Sequence, residues 1–161
     1  STNKLKKDLL NSIDQISKRK WALNAGIRWH YYLDNMEFTA SWQNEISGVH
    51  QGNIVELSYN TKWGWRNIQV TTQIGVNWKS QKLLNYYYGI NQQDSDDASL
   101  WYIADAGVEK YLALAIQRPI NDKWLWLTNF SFRQLPDSIY LSPIVKESNV
   151  KRVFMGVAYR F

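Results

Sequence analysis

The chain has 161 residues, of which 45% are hydrophobic, and a formal net charge of +5 at pH 7. This length is enough for one domain with a sizeable core. The chain has no cysteine, which excludes a disulfide framework and is compatible with export. No apolar run reaches the ~20 residues of a transmembrane helix, so a membrane-spanning form would have to be a closed barrel, in which every backbone polar group finds a partner.

From residue 21 onward, apolar and polar residues alternate with a period of two. This alternation predicts an all-β, antiparallel chain whose strands have one apolar and one polar face. Segments of about ten residues with this pattern are typical of transmembrane β-barrels. The pattern predicts seven strands, over residues 21–33, 36–43, 55–63, 67–78, 111–117, 124–133 and 152–161.

The connections between these strands alternate in length. Short connections are expected at residues 34–35, 64–66 and 119–122, and longer ones at 44–52, 79–105 and 136–149. Outer-membrane barrels have short periplasmic turns and longer extracellular loops. The rhythm therefore predicts a bacterial outer-membrane barrel, and the ending Tyr159-Arg160-Phe161 places its last strand end in the periplasm.

Aromatic residues make up 15% of the chain and include nine tryptophans. They fall into two groups, which predict the girdles found at both membrane–water boundaries. Near the short turns lie Trp29, Tyr31, Trp63, Trp65, Trp124, Trp126, Tyr159 and Phe161, and near the long loops lie Trp21, Trp42, Trp78, Phe130 and Phe132. Eight residues of tilted strand, as between Trp21 and Trp29, span roughly 20 Å, close to the ~25 Å apolar band. A soluble, lipocalin-like barrel would also alternate, but the girdles favour a membrane.

The odd strand number has a consequence for the whole barrel. If the last strand runs inward, so does the first, which places residues 1–20 outside the cell. Bacterial single-chain barrels have an even number of strands. We therefore expect residues 21–161 to be the C-terminal part of a barrel of about ten strands, with the preceding strands on the same or another chain. Residues 1–20 are expected to form an extracellular loop with a short helix, because Leu5, Leu9, Ile13 and Ile16 recur at helical spacing.

Four segments in the range of about residues 20–161 resemble one family. They are Gly48-Val49-His50-Gln51-Gly52, Asn85-Tyr86-Tyr87-Tyr88-Gly89-Ile90, Ser142-Pro143-Ile144-Val145 and Gly156-Val157-Ala158-Tyr159-Arg160-Phe161. Together they resemble the MipA/OmpV (MltA-interacting protein) family. The resemblance implies an outer-membrane barrel of Gram-negative bacteria without known enzymatic activity, whose founding member is described as a scaffold between a murein lytic transglycosylase and a penicillin-binding protein. It implies no catalytic, cofactor-binding or metal residues.

Two sets of charged residues are candidate sites. The first is a polar network inside the lumen, formed by Arg28, His30, Glu37, Glu56, Lys62 and Glu109. Charges that pair to fill a narrow lumen are favoured here over catalysis, which needs a nucleophile and a base within hydrogen-bond reach. An acidic loop with Asp94, Asp96 and Asp97 is interpreted as solvated, with a divalent-ion site as the alternative.

The second set lies at the outer end and is basic. Its members, considered as contacts to lipopolysaccharide phosphates, are Lys18, Arg19, Lys20, Lys79 and Lys82. Lipid phosphates are favoured over nucleic acid as the polyanion, and a solvated loop face is the alternative.

Three functions remain open. A scaffold that binds murein-processing enzymes or another outer-membrane complex is favoured. A small pore ranks below the scaffold, because side chains can largely fill the narrow lumen of a barrel of about ten strands. A lipid-directed enzyme comes last. No cofactor and no nucleic-acid partner are expected.

Overall fold

The computed structural model describes residues 19–95 and 97–160. The helix expected within residues 1–20 falls almost wholly outside this range, as do Lys18, Asp96 and Phe161. Seven strands form one antiparallel sheet in chain order, as predicted. They are β1 (Asn24–Leu33), β2 (Met36–Glu45), β3 (Asn53–Trp65), β4 (Ile68–Lys79), β5 (Gly107–Pro119), β6 (Trp124–Gln134) and β7 (Asn149–Tyr159).

The register places each class of side chain on its own face of the sheet. The row Trp29, Ala40, Leu57, Val76, Lys110 crosses β1 to β5 on one face. The adjacent row His30, Thr39, Ser58, Gly75, Tyr111 crosses the same strands on the opposite face. Because the side-chain period of a strand is two, the alternation in the sequence fixes these faces throughout.

The burial of the two faces is the inverse of that in a soluble barrel. Leu57 is 53% exposed and Met155 is 65% exposed, whereas Thr39 and Ser58 are each 8% exposed. A lipocalin-like barrel would bury the apolar row and expose the polar one. The apolar face is therefore an outer surface suited to hydrocarbon, and the polar face lines a lumen.

Several strand boundaries differ from those predicted. β1 begins at Asn24, so Trp21 lies before the strand and is 98% exposed. β3 continues through Gly64 and Trp65, and the chain reverses at Arg66-Asn67 instead of over 64–66. Arg66 takes up the turn with a φ of 55°, in the left-handed region.

The two longest connections carry structure that the alternation does not predict. Residues 80–106 contain α1 (Gln81–Tyr88) and a 3₁₀ turn (Ala98–Leu100), and residues 135–148 contain the short α2 (Asp137–Tyr140). Within the described ranges no helix has the length and apolar character needed to cross a membrane. These two connections pack together, and we call them the cap.

Candidate functional site

The cap has its own apolar core. Leu84, Ala104 and Ile139 are fully buried, and Leu83 packs with them. Ile54 of β3 and Leu135 at the end of β6 contact this cluster. Ile54 alternates with the outward-facing Val55 and so points to the lumen. The cap therefore lies on the lumen side of the sheet, over the mouth at the end of the long loops.

Hydrogen bonds tie the two halves of the cap to each other. The Tyr102 hydroxyl donates to the Ser138 carbonyl at 2.9 Å, and the Ser142 hydroxyl donates to the Tyr88 carbonyl at 2.7 Å. Burial, together with the nearby Glu109 carboxylate, raises the pKa of the Tyr88 phenol, which therefore stays neutral. Tyr88 and Ser142 belong to two of the segments that carry the family resemblance, which thus meet in the cap.

The sheet accommodates the cap through two glycines. A Cβ atom on Gly52 would lie 2.6 Å from the Leu83 Cβ, and one on Gly107 would lie 2.5 Å from the Ser138 Oγ. Contacts under 3 Å are too short for carbon, so only glycine allows the cap to approach this closely.

Directly on the lumen face near the cap, Glu109 is held by two cations. Lys79 Nζ donates to its Oε2 at 2.8 Å, and Arg133 donates to its Oε1 at 2.7 Å. The Asn77 amide adds a contact of 3.2 Å, and Glu109 is only 2% exposed. A carboxylate buried this deeply requires such partners, because an unpaired buried charge costs several kcal/mol. This group is called the Glu109 cluster.

A second carboxylate, Glu56, lies in the same cross-strand row of the lumen face, because Asn77 pairs with both glutamates. Glu56 accepts hydrogen bonds from the Tyr111 hydroxyl at 2.8 Å and from Arg28 at 3.2 Å. The Arg133 guanidinium lies 5.8 Å from the centroid of the Tyr111 ring. Tyr111 and Arg133 thus join Glu56 to Glu109, so Arg28, Glu56 and Glu109 of the predicted network belong to one connected set.

The remaining members of the predicted network lie apart from that set. His30 Nδ1 lies 2.6 Å from Glu37 Oε1, and the Thr39 hydroxyl is 3.3 Å from the same nitrogen. Lys62 is on the lumen face of β3, near the short turns. Among the described residues Lys62 forms no ion pair within 4 Å.

Sequence reasoning missed Tyr111 and Arg133 as network members and misplaced Lys79. Lys79 follows Trp78 in β4, so its side chain points to the lumen and reaches Glu109 instead of the outer surface. The signal was available, since Lys79, Tyr111 and Arg133 all have the parity of the lumen face. Because Lys79 lies next to a long loop, it was assigned to the outer surface and not to the lumen face.

The other outer-end candidates lie in or against the cap. Arg19 donates to the Gly89 carbonyl at 3.4 Å, lies 3.8 Å from Asp94 and stacks on Tyr86 at 5.4 Å. Lys82 Nζ is 3.3 Å from the Gln51 amide oxygen, and Lys20 is exposed.

The acidic loop residues that the structure describes have structural partners. Besides the contact of Asp94 with Arg19, the Asp97 carboxylate caps the 3₁₀ turn by accepting from the Ser99 N–H at 2.9 Å. Hydrogen bonds from Ser99 lower the pKa of Asp97. In the described part of the chain no group of three acidic, His or Cys residues is arranged to hold a metal ion.

Comparison with known proteins identifies the family. Residues 3–161 match the family model described as MltA-interacting protein MipA. The chain belongs to this family. It is 25% identical to the putative outer membrane protein YiaT of Escherichia coli K12 over 93% of this chain and 61% of YiaT. It is 25% identical to the outer membrane protein Omp26La of Vibrio anguillarum over 96% of this chain and 60% of that relative.

A third relative of this MipA family chain is the MltA-interacting protein of Escherichia coli K12. The identity is 22% over 91% of this chain and 59% of the relative. The chain therefore spans about three fifths of the length of these relatives. No solved structure matches the chain.

Family membership and the inverted faces together establish an outer-membrane β-barrel protein. In such barrels the short turns face the periplasm and the long loops face outward. By this rule we propose that the turns at 34–35, 66–67 and 120–123 lie at the periplasmic end of this MipA family sheet and the cap at its extracellular end.

Proposed function

We propose that this protein is a non-enzymatic scaffold of the outer membrane that serves the murein-processing machinery. The observation that carries the proposal is how the lumen face of these strands is filled: the folded cap packs over its outer end, and ion pairs connect the side chains next to it. A barrel whose lumen is filled in this way offers its surfaces, and not its interior, to partners. One relative is named for its interaction with MltA, which supports a partner of this kind.

The filling of this lumen face speaks against the alternative of a small pore. A conducting lumen needs a continuous polar path with hydrated groups along it. Here Leu84 and Ile139 are fully buried in the cap, and Glu109 is 2% exposed between Lys79 and Arg133. Solutes would have to displace both the apolar core of the cap and the Glu109 cluster.

The geometry at His30 speaks against a lipid-directed enzyme. In a catalytic triad, the histidine uses one ring nitrogen for the acid and the other for the nucleophile. Here Glu37 and the Thr39 hydroxyl approach the same nitrogen, Nδ1. His30 also lies on the lumen face, away from the lipids that such an enzyme would cleave.

We propose further that additional strands complete the barrel between β1 and β7. Within the described residues β1 pairs only with β2, and β7 only with β6. Both edges carry backbone groups that need partners in hydrocarbon, where an unsatisfied group costs several kcal/mol. The relatives contain sequence beyond the matched region, which supports a larger barrel, of about ten strands, and residues 21–161 would be its C-terminal part.

Lipopolysaccharide contacts are proposed for four basic residues of the outer end, Lys18, Arg19, Lys20 and Lys82. Lys20 is exposed next to the cap and Lys82 is exposed within it, and outward-facing ammonium groups at this end suit lipid phosphates. Lys79 is left out of this proposal because its side chain pairs with Glu109.

The scaffold proposal is tested by three assays on the full-length protein in native-like bilayers. We expect capture of a murein lytic transglycosylase after cross-linking in the envelope, no single-channel conductance above an empty bilayer, and no phospholipid hydrolysis. Steady conductance without enzyme capture would reject the scaffold in favour of the pore. Lipid hydrolysis that a His30→Ala variant abolishes would reject it in favour of the enzyme.

A further inference from the structure

The periplasmic end of the lumen contains a concave, basic site. A cavity of about 380 Å³ opens there, between the strand ends and the second short turn. Three cationic side chains and three amides contribute to its lining: Lys62, Arg66, Arg160, Asn67, Gln69 and Gln117. We call this the basic mouth.

The three cations of the basic mouth form no close ion pair. In the described ranges none of Lys62, Arg66 and Arg160 forms an ion pair within 4 Å. The Glu37 carboxylate, which lies 2.6 Å from His30, also attracts Lys62 at longer range, and the Arg66 guanidinium lies over the Trp65 ring, 4.9 Å from its centroid. Asp34 and Asp122 lie in the two other short turns, and neither contributes to the cavity lining. The site therefore has an excess of positive charge that an anionic ligand would neutralise.

Part of the polar lining of the basic mouth faces the lumen and not the lipid. Gln69 pairs with Gln117 across β4 and β5, and both alternate with the outward-facing Ile68 and Ile116. Lys62 likewise alternates with the outward Trp63. These polar side chains consequently face the lumen and the periplasmic water, not the inner leaflet.

The chemistry of the lining indicates a peptide with free carboxylates. Guanidinium groups bind carboxylates through paired hydrogen bonds, and an ammonium adds a point charge. Three side-chain amides offer both donors and acceptors to the backbone of a peptide. The cavity volume is at the lower end of small-ligand sites, ~300–1,000 Å³, whereas a stable protein interface needs about 1,000 Å² or more. The cavity itself is therefore sized for a small ligand or a short peptide and not for the surface of a folded protein.

We propose that the basic mouth binds the carboxylate-bearing stem peptides of murein. This rests on the proposed scaffold function and deepens it, because the scaffold would then hold the polymer as well as the enzymes that process it. The neutral amides contact the peptide backbone, and Lys62, Arg66 and Arg160 neutralise its carboxylates.

Co-sedimentation of the full-length protein with isolated murein sacculi tests this proposal. The variant Lys62→Gln/Arg66→Gln/Arg160→Gln is expected to bind at least about tenfold more weakly, since it loses three charge-assisted contacts. The matched control, Lys110→Gln/Lys146→Gln/Lys151→Gln, removes the same charge at the extracellular end and should bind like the parent. Arg66→Gln alone, in an exposed turn, serves as the variant with the least effect on folding.

Two further arms identify what is bound. Sacculi whose stem peptides have been removed by an amidase should lose binding, and the soluble tripeptide L-Ala-D-Glu-diaminopimelate should compete. Unchanged binding by the triple variant, or equal binding to the peptide-free glycan, would overturn the proposal. The proposal would also be overturned if an acidic periplasmic protein bound through the three cations while sacculi did not bind. Enzyme capture is measured in a separate assay. Failure of capture would reject the scaffold proposal, whereas failure of sacculus binding would reject the stem-peptide proposal.

Discussion

Tyr111 of β5 lies across Gly75 of β4, its cross-strand neighbour, so closely that a Cβ atom on Gly75 would be 2.5 Å from the Tyr111 Cζ. The glycine lets the ring lie flat along the lumen wall. In that position the Tyr111 hydroxyl reaches Glu56, two strands away, and the ring receives Arg133. Because Gly75 has no side chain, Tyr111 can connect the two lumen carboxylates, Glu56 directly and Glu109 through Arg133.

Gly75→Val is expected to displace the Tyr111 ring and break its hydrogen bond to Glu56. Overpacking of this kind costs about 1–3 kcal/mol, so the free energy of unfolding in detergent or lipid should fall by that amount. Gly64→Ala is the control, because a Cβ there would meet only the Ile68 carbonyl, at 3.8 Å. Equal stability of the two variants in urea titrations would show that the close approach of Tyr111 is unimportant.

Glu109→Gln removes the charge between Lys79 and Arg133 while keeping the shape of the side chain. The two cations then face each other without a counter-charge. The loss of two charge-assisted hydrogen bonds should lower the free energy of unfolding by about 1.5–3 kcal/mol. Glu147→Gln, at an exposed position of the cap, should have little effect. The account of the Glu109 cluster fails if both variants unfold at the same urea concentration.

Leu84→Ala opens a hole in the core of the cap. Truncating a fully buried leucine to alanine costs about 2–5 kcal/mol of stability. Because Leu84 lies in the cap, we expect the cap and not the strands to be destabilised. We expect faster proteolysis within residues 80–106 and the appearance of ion conductance in planar bilayers. Leu141→Ala, at a cap position that is 63% exposed, should change neither. A protease-resistant, non-conducting Leu84→Ala protein would contradict the role of the cap in closing the lumen.

The basic residues of the outer end should differ in their effect on lipopolysaccharide. Lys20→Gln/Lys82→Gln is expected to reduce the lipopolysaccharide that co-purifies with the protein, because both side chains are exposed, Lys20 next to the cap and Lys82 within it. Lys79→Gln should leave it unchanged, since the ammonium pairs with Glu109 inside the lumen. A quantitative phosphate assay on the purified proteins compares the parent, Lys20→Gln/Lys82→Gln and Lys79→Gln. The proposed contacts are wrong if only Lys79→Gln lowers the phosphate content.

The strands and their faces were predictable because a single rule governs them. In a strand of period two, the assignment of one residue, such as Leu57 outward, determines the face of every other residue in register with it. Turn lengths then fix the order of the strands. The same rule places Arg28 and Glu56 on the lumen face from the sequence alone, whereas Glu109 lies before the predicted fifth strand.

The cap and the ligands of Glu109 were less predictable, for different reasons. The cap depends on contacts between Leu84 and Ile139, which are far apart in the sequence and show no joint periodicity. Lys79 was assigned to a loop because the predicted strand ended one residue earlier, at Trp78. A boundary error of one residue is enough to move a charge from the lumen to the surface, since the face of the side chain depends on whether the strand continues.

The central claim is that the apolar face of this sheet meets lipid and the polar face lines the lumen. Spin labels on single cysteines test it directly, because the chain has no native cysteine. Labels at 54–60 of β3 should be scanned in lipid bilayers for collision with oxygen and with a water-soluble nickel chelate. Oxygen accessibility should peak at Val55, Leu57 and Tyr59 and fall at Glu56 and Ser58. The opposite phase, or no alternation, would contradict the inverted barrel.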